Sequence, residues 1–141
     1  MTEVAEILSS RGFRALVADS SFASIPELIE EEVSARTLVP AWLASLLKPG
    51  MILFAKWFKA ADITKMSPAT GVSEIPFPVA LKHCKDSIRV PVSHAQRIME
   101  RAPNGSQTLF ISGCDHAGGY EHDKEVYMRF VLGYIEGRIA R

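Results

Sequence analysis

A histidine stands in a glycine-rich loop directly after an apolar stretch near the carboxyl end of the chain. The segment reads TLFISGCDHAGGYEHD, and His116 precedes Gly118 and Gly119. An imidazole in this position could act as a general base, which takes up a proton and later returns it. Alternatively, it could stabilise the loop through a hydrogen bond to the backbone. The other reactive side chains of the sequence bear on this choice.

A second apolar stretch leads into HCKDSIRVP, which places several reactive side chains at the start of another loop. If the two loops are neighbours, their thiol, imidazole and carboxylate groups form a candidate zinc site. The candidate ligands are His83, Cys84, Cys114, Asp115, His116 and His122. Their spacing fits no zinc ribbon or finger, so we expect no metal and no other cofactor. A cysteine nucleophile is disfavoured too, because no predicted helix N-terminus points at either thiol.

Three apolar stretches predict β-strands, and helical patterns separate them along the chain. The strands are FRALVADS, VALKHC and TLFISG, and the helices cover residues 3–11, 25–47, about 51–58, SHAQRIMERA and 123–139. Strands that alternate with helices form a parallel sheet with right-handed crossovers. The predicted fold class is therefore α/β, with a single domain over residues 1–141. Ligands of such sheets bind beyond the carboxyl ends of the strands, where both histidine-bearing loops are expected.

Two helix-level predictions concern particular residues. Ser93 and Gln96 have capping-box spacing at the start of SHAQRIMERA, and His94 is expected to face solvent. The most apolar run, LVPAWLASLLKPGMILFAKWF, has nearly the length of a membrane span. Lys48-Pro49-Gly50 interrupts it, so we predict two short helices with a bend between them.

Charge and composition exclude several classes of function. The 141 residues include 16 basic and 16 acidic side chains, so no net field attracts nucleic acid or an anionic membrane. Hydrophobic residues make up 48% and charged residues 23%, which is typical of a globular domain. Two cysteines are too few for a disulfide scaffold and are typical of a reducing cytoplasm. No signal peptide is recognisable in MTEVAEILSSRGF, and we expect a soluble, cytoplasmic protein.

Three motifs, in this order, resemble the C-terminal half of the α/β-hydrolases, in the prolyl-peptidase-like and X-Pro-peptidase-like bacterial branch. RALVADSSFAS is similar to the sixth strand and its following loop, and GCDHAGGY to the loop that presents the catalytic histidine. The segment MSPATGVSEIPFPVALKHCKDSIRVP is similar to the family's Ser-Pro turn, its Ile-x-x-Pro-Val strand and its His-Gly-x-x-Asp-x-x-Val-Pro motif. Across residues 5–139 the resemblance implies a three-layer partial α/β-hydrolase fold. Its parts are about three parallel strands, flanking helices and a helical, lid-like insertion at residues 25–62.

The resemblance also implies roles for individual residues. His116 falls on the general base of the family, which takes a proton from a serine nucleophile. The family's acid falls on Ser87, whose hydroxyl carries no charge that could stabilise an imidazolium. Asp86, the neighbouring residue, is the candidate substitute, and Cys84 replaces the family's glycine.

The family's nucleophile, the serine of Gly-x-Ser-x-Gly, has no counterpart in the sequence. The resemblance implies that this elbow, the oxyanion hole and the first five strands precede Met1. We therefore expect ester or peptide-type acyl hydrolysis in full-length relatives and no such activity in this chain alone. The alternatives are a non-catalytic fragment that completes a separate N-terminal half and, less favoured, the Cys/His metal-binding module.

The same comparison predicts a partner. In the family the sixth strand is internal, whereas here residues 13–19 would form an exposed edge, and exposed edges pair with other chains. We expect a homodimer through this edge and through the apolar helices of residues 38–58. The apolar side chains expected at the interface are Trp42, Leu46, Leu47, Phe54, Trp57 and Phe58.

Overall fold

The structure is a computed structural model that describes residues 10–36, 41–57 and 67–140. The strands are β1 (Val17–Asp19), β2 (Ala80–Cys84) and β3 (Gln107–Ile111). The helices are α1 (Ile25–Arg36), α2 (Ala41–Trp57), α3 (Pro68–Gly71), α4 (Val92–Met99), α5 (Gly119–His122) and α6 (Lys124–Ile139), and a 3₁₀ turn covers Val72–Glu74. Of the helix predicted over residues 3–11, only Ser10 and Arg11 are among the described residues. Of the side chains predicted at the dimer interface, those of Phe54, Trp57 and Phe58 lie outside what the structure describes.

The three strands form one parallel sheet in the order β1-β2-β3, which confirms the predicted α/β class. Val17 pairs with Ala80 and Asp19 with Lys82 at one side of β2. Ala80 pairs with Gln107 and Cys84 with Ile111 at the other side. Because all three strands run in one direction, their carboxyl ends meet at a single edge of the sheet.

The central strand separates two different environments. All five residues of β2 are buried. Leu81 packs in an apolar cluster with Ala95 and Ile98 of α4, whereas Lys82 and Cys84, whose side chains alternate with it, lie on the opposite face. Tyr134 of α6 is buried over that second face, and its hydroxyl donates a hydrogen bond to the carbonyl of Pro78.

The predicted division of the apolar run into two short helices is wrong, because α2 is one helix from Ala41 to Trp57 with Pro49 inside it. A proline removes one helical N–H and distorts the preceding turn, but the remaining i→i−4 bonds of a 17-residue helix hold the two halves together. Among the described residues, no helix is long and apolar enough to cross a membrane.

The start of α4 also differs from the prediction. The helix begins at Val92 after Pro91, and the side chain at the cap position makes no capping bond, so the capping box of Ser93 and Gln96 is not formed. The Pro91 carbonyl accepts a hydrogen bond from the His94 N–H at 3.0 Å, which satisfies one of the free donors of the first turn without a side-chain cap. The last predicted helix is confirmed: Asp123 caps α6 by accepting a hydrogen bond from the Val126 N–H at 3.0 Å.

Candidate functional site

The loops that follow the three strands surround a cavity of about 520 Å³ at the carboxyl edge of the sheet. Residues from the β1 loop, α1, the β2–α4 loop and the β3 loop contribute to its wall. They are Asp19, Ser20, Ser21, Phe22, Leu28, Glu32, Arg89, Val90 and His116. His116 therefore lies where the sequence predicted it, beside a cavity of the size that binds small molecules.

The backbone on both sides of His116 is held by hydrogen bonds. Its own N–H donates to Oδ1 of Asp115 at 2.7 Å, and the next N–H, of Ala117, donates to Oγ of Ser20 at 3.1 Å. The imidazole is different: its Nδ1 is buried and has no hydrogen-bond partner among the described residues. In a serine-hydrolase triad this nitrogen is the atom that an acid orients.

Neither candidate for the acid contacts this nitrogen. Oγ of Ser87 accepts a hydrogen bond from the Val90 N–H at 3.1 Å, within its own loop. Oδ2 of Asp86 accepts from the Gly113 N–H at 2.6 Å, which ties the β2 loop to the β3 loop. The acid role predicted for these two residues thus stays a prediction, and His116 is oriented in this structure through its backbone.

The two cysteines form a disulfide bond, which contradicts the expectation of two reduced thiols. Their Cα atoms are 5.5 Å apart, within the range that a disulfide spans, because the parallel register places Cys84 beside Ile111. Both residues are buried. The bond joins the end of β2 to the loop of His116, and in this form neither sulfur can be a thiolate nucleophile or a thiolate ligand.

The proposed zinc ligands are not brought together. His83 turns to the α4 side of the sheet, where its Nε2 lies 2.9 Å from the Val90 carbonyl, while the cysteines bond on the other side. Burial lowers the pKa of His83, and the hydrogen bond to Val90 opposes that shift only in part. No group of three His, Cys, Asp or Glu side chains in the described part of the chain has a geometry suited to a metal ion.

A buried ion pair at the same edge was not predicted. Lys82 is fully buried, and its Nζ lies 3.0 Å from Oδ1 of Asp19, its neighbour in the parallel register. The hydroxyls of Ser20 and Tyr127 donate to the two oxygens of the same carboxylate, at 2.8 and 3.1 Å. Burial, followed by the charge and hydrogen bonding of Asp19, raises the pKa of the Tyr127 phenol.

Gly119 is required by this buried lysine. A Cβ atom on Gly119 would lie 2.1 Å from Cε of Lys82 and 3.0 Å from Cδ1 of Ile111. The second glycine of DHAGGY therefore leaves room for the lysine chain beneath the histidine loop. Gly119 thus has a packing role that the sequence alone did not indicate.

His94 is buried, and the prediction that it faces solvent is wrong. Its Nδ1 accepts a hydrogen bond from the Ala23 N–H at 2.9 Å, and its Nε2 lies 2.5 Å from Oε2 of Glu31. Because a backbone N–H can only donate, the ring carries its proton on Nε2 and donates it to Glu31. His94 thus joins α4 to the β1 loop and to α1, two elements that form the cavity.

Comparisons of the sequence with known proteins give a distant relative. No family model matches the chain. The chain is 27% identical over 121 residues to YqkD, an uncharacterized protein of Bacillus subtilis, and this match covers 85% of the chain but 38% of YqkD. The chain thus spans well under half of the length of this relative.

Solved structures give a clearer likeness of fold. BpoC of Mycobacterium tuberculosis superposes with a TM-score of 0.59 at 13% identity, over 95% of this chain and 62% of that protein. The meta-cleavage product hydrolase CumD of Pseudomonas fluorescens superposes with a TM-score of 0.55 at 16% identity, over 95% and 60%. The described strands and helices therefore have the fold of part of an α/β-hydrolase.

Proposed function

We propose that this chain supplies the histidine-bearing carboxyl edge of an α/β-hydrolase-type acyl hydrolase and that the chain alone does not turn over substrate. The observation that carries the proposal is the placement of His116: it lines the cavity beyond β3, yet its buried Nδ1 has no hydrogen-bond partner in the described part of the chain. A small ester or peptide suits the volume of the cavity, whose wall includes Phe22, Leu28 and Val90.

The chemistry of this edge is incomplete within one chain. The sequence has no Gly-x-Ser-x-Gly, the motif that presents the nucleophile of such enzymes on a strained strand-to-helix turn. Removal of the nucleophile from a serine protease lowers kcat on the order of a millionfold. A general base that lacks this nucleophile is therefore expected to retain only the reactivity of an imidazole.

The expected result with a nitrophenyl ester is hydrolysis no faster than that caused by free imidazole at equal concentration. The reason is that the sequence offers His116 no elbow serine to activate, so that only the imidazole itself is expected to react. The measurement compares the initial rate of the wild-type chain with those of His116→Ala and of imidazole. Rapid hydrolysis that disappears in His116→Ala would overturn the proposal.

A second proposal concerns the outer edge of β1. The Leu16 carbonyl and the Ser20 N–H both bond to β2, so the backbone groups of Val17 and Asp19 point away from the sheet. No described strand lies beside this edge. We propose that a second copy of the chain pairs there across a two-fold axis, since a copy presents the same edge. Exposed side chains of α2, Trp42, Leu46 and Leu47, are the apolar surface that this dimer would cover.

The dimer predicts sedimentation at about twice the chain mass of 15.5 kDa at micromolar concentration. Val17→Pro removes only an outward N–H, and Leu46→Glu places a charge on the exposed face of α2, so both changes are expected to yield monomers. Ser93→Glu, at an exposed position of α4, is the control and keeps the dimer. A wild-type chain that sediments as a stable monomer excludes this partner, and a separately encoded half is then the occupant to seek.

A further inference from the structure

Two residues of the cavity region have a backbone conformation that side chains disfavour. Among the described residues, Ser20 (φ 51°) and Ala117 (φ 59°) are the non-glycine residues with positive φ. A left-handed conformation costs free energy when a Cβ is present, and it persists only where the surroundings enforce it. The two residues are 97 positions apart in sequence, and the Ala117 N–H donates to Ser20 Oγ.

The Ser20 hydroxyl can only be the acceptor in its hydrogen bond with the Ala117 N–H. The hydroxyl has a single proton, and it donates this proton to Oδ1 of Asp19 at 2.8 Å. Only lone pairs of the oxygen therefore remain for the Ala117 N–H. The carboxylate of Asp19 is fixed in turn by Lys82 and Tyr127, so the acceptor that faces the histidine loop has a set position.

The hydrogen bond between the Ala117 N–H and Ser20 Oγ acts on His116 through the peptide unit that joins His116 to Ala117. The N–H of Ala117 belongs to the peptide that follows His116, so a bond to this N–H fixes ψ of His116. Asp115 fixes the preceding peptide through the His116 N–H. The imidazole, by contrast, has no hydrogen-bond partner at Nδ1 among the residues that the structure describes. No described acid holds the ring, so the position from which the imidazole enters the cavity depends on the backbone that carries it.

We propose that Ser20 is the positioning residue of His116: its hydroxyl, oriented by Asp19, holds the Ala117 peptide and thereby aims the imidazole into the cavity. The proposal rests on the proposed function, since it gives the reason why an imidazole is held at this edge. The loop after β1, DSSF, thus has a role in positioning the histidine. The resemblance to the family assigned no such role to this loop.

Nuclear magnetic resonance of the full chain tests the proposal without substrate. Ser20→Ala removes the acceptor, and Ser20→Gly removes it while also relieving the positive φ. In both, hydrogen exchange of the Ala117 amide is expected to accelerate on the order of tenfold, the size of one lost hydrogen bond. The Hα–Hβ couplings of His116 are expected to change from those of one rotamer to averaged values.

The controls separate positioning from a loss of stability. The Leu81 amide, in the buried central strand, serves as the internal reference and is expected to exchange as in wild type. Ser21→Ala changes the adjacent serine of the same cavity and is expected to leave Ala117 and His116 unchanged. If Ser20→Ala fails to fold, Ser20→Gly alone decides the question.

Unchanged Ala117 exchange and unchanged His116 couplings in the folded Ser20 variants would overturn the proposal. Equal acceleration at Leu81 would overturn it as well, since Ser20 would then act on the whole fold. Neither readout depends on ester hydrolysis, so a failure of the proposed function and a failure of this inference are seen in different experiments.

Discussion

Asp19→Asn is expected to lower the free energy of unfolding by about 2–3 kcal/mol. This loss is smaller than the full cost of breaking a buried ion pair, because the Asp19 carboxylate is partly exposed to solvent. The asparagine keeps the shape of the side chain: its oxygen can still accept from Ser20, and its amide nitrogen can donate to the Tyr127 hydroxyl, which can also accept. It leaves Lys82, which is fully buried, without a negative partner. The loss therefore measures an uncompensated buried charge and not a change in packing.

The matched variant is Lys82→Met, which removes the charge and keeps the length of the side chain. The Asp19 carboxylate that remains is partly exposed to water and still accepts hydrogen bonds from Ser20 and Tyr127, so we expect a change within about 1 kcal/mol. The double variant Asp19→Asn/Lys82→Met is expected to be no less stable than Lys82→Met. Urea unfolding followed by far-ultraviolet circular dichroism measures all three variants, at one protein concentration because a dimer would make stability concentration-dependent.

Two outcomes would contradict this account of the ion pair. One is an Asp19→Asn chain as stable as wild type, which would mean that the lysine needs no carboxylate. The other is a Lys82→Met chain that loses as much as Asp19→Asn, which would mean that the pair itself stabilises the fold.

His94→Ala is expected to cost about 3 kcal/mol, the sum of a large-to-small loss in the core and an unpaired backbone donor. The ring is fully buried, and without it the Ala23 N–H loses its acceptor and Glu31 its donor. Since His94 joins α4 to α1 and to the β1 loop, its removal also loosens the wall of the cavity.

Two further variants divide this loss into parts. His94→Asn keeps an oxygen near the position of Nδ1 and is expected to recover part of the stability by accepting from Ala23. Glu31→Gln keeps an acceptor for the Nε2 proton and is expected to change stability by less than about 1 kcal/mol. Urea unfolding gives the ranking, and a His94→Ala chain within experimental error of wild type would refute the structural role of this histidine.

The fold class could be predicted from the sequence because each strand segment has a recognisable apolar pattern. VALKHC is apolar enough to indicate a buried strand although it contains Lys82 and His83, and the alternation of strands with helices implies a parallel sheet. The position of His116 followed in the same way, since it comes directly after β3. Such features depend on neighbours in sequence.

Features that depend on distant partners were missed. His94 is a polar residue, so its sequence pattern indicated a solvent-facing position. Its burial is explained by its hydrogen bonds to Ala23 and Glu31, which lie 71 and 63 residues away in the sequence. The Asp19–Lys82 pair and the disulfide likewise arise from the register of the parallel strands. Gly119 could have been suspected from its motif, but its reason is the lysine that passes beneath it.

The central claim is that the carboxyl edge presents His116 without a serine that it can activate. The intact mass of the chain after incubation with an alkyl fluorophosphonate, which phosphonylates activated serines with loss of fluoride, tests this claim directly. We predict an unchanged mass in the wild-type chain and in His116→Ala alike. A single adduct on one serine of the wild-type chain, absent from His116→Ala, would contradict the claim, because it would reveal a nucleophile that His116 activates.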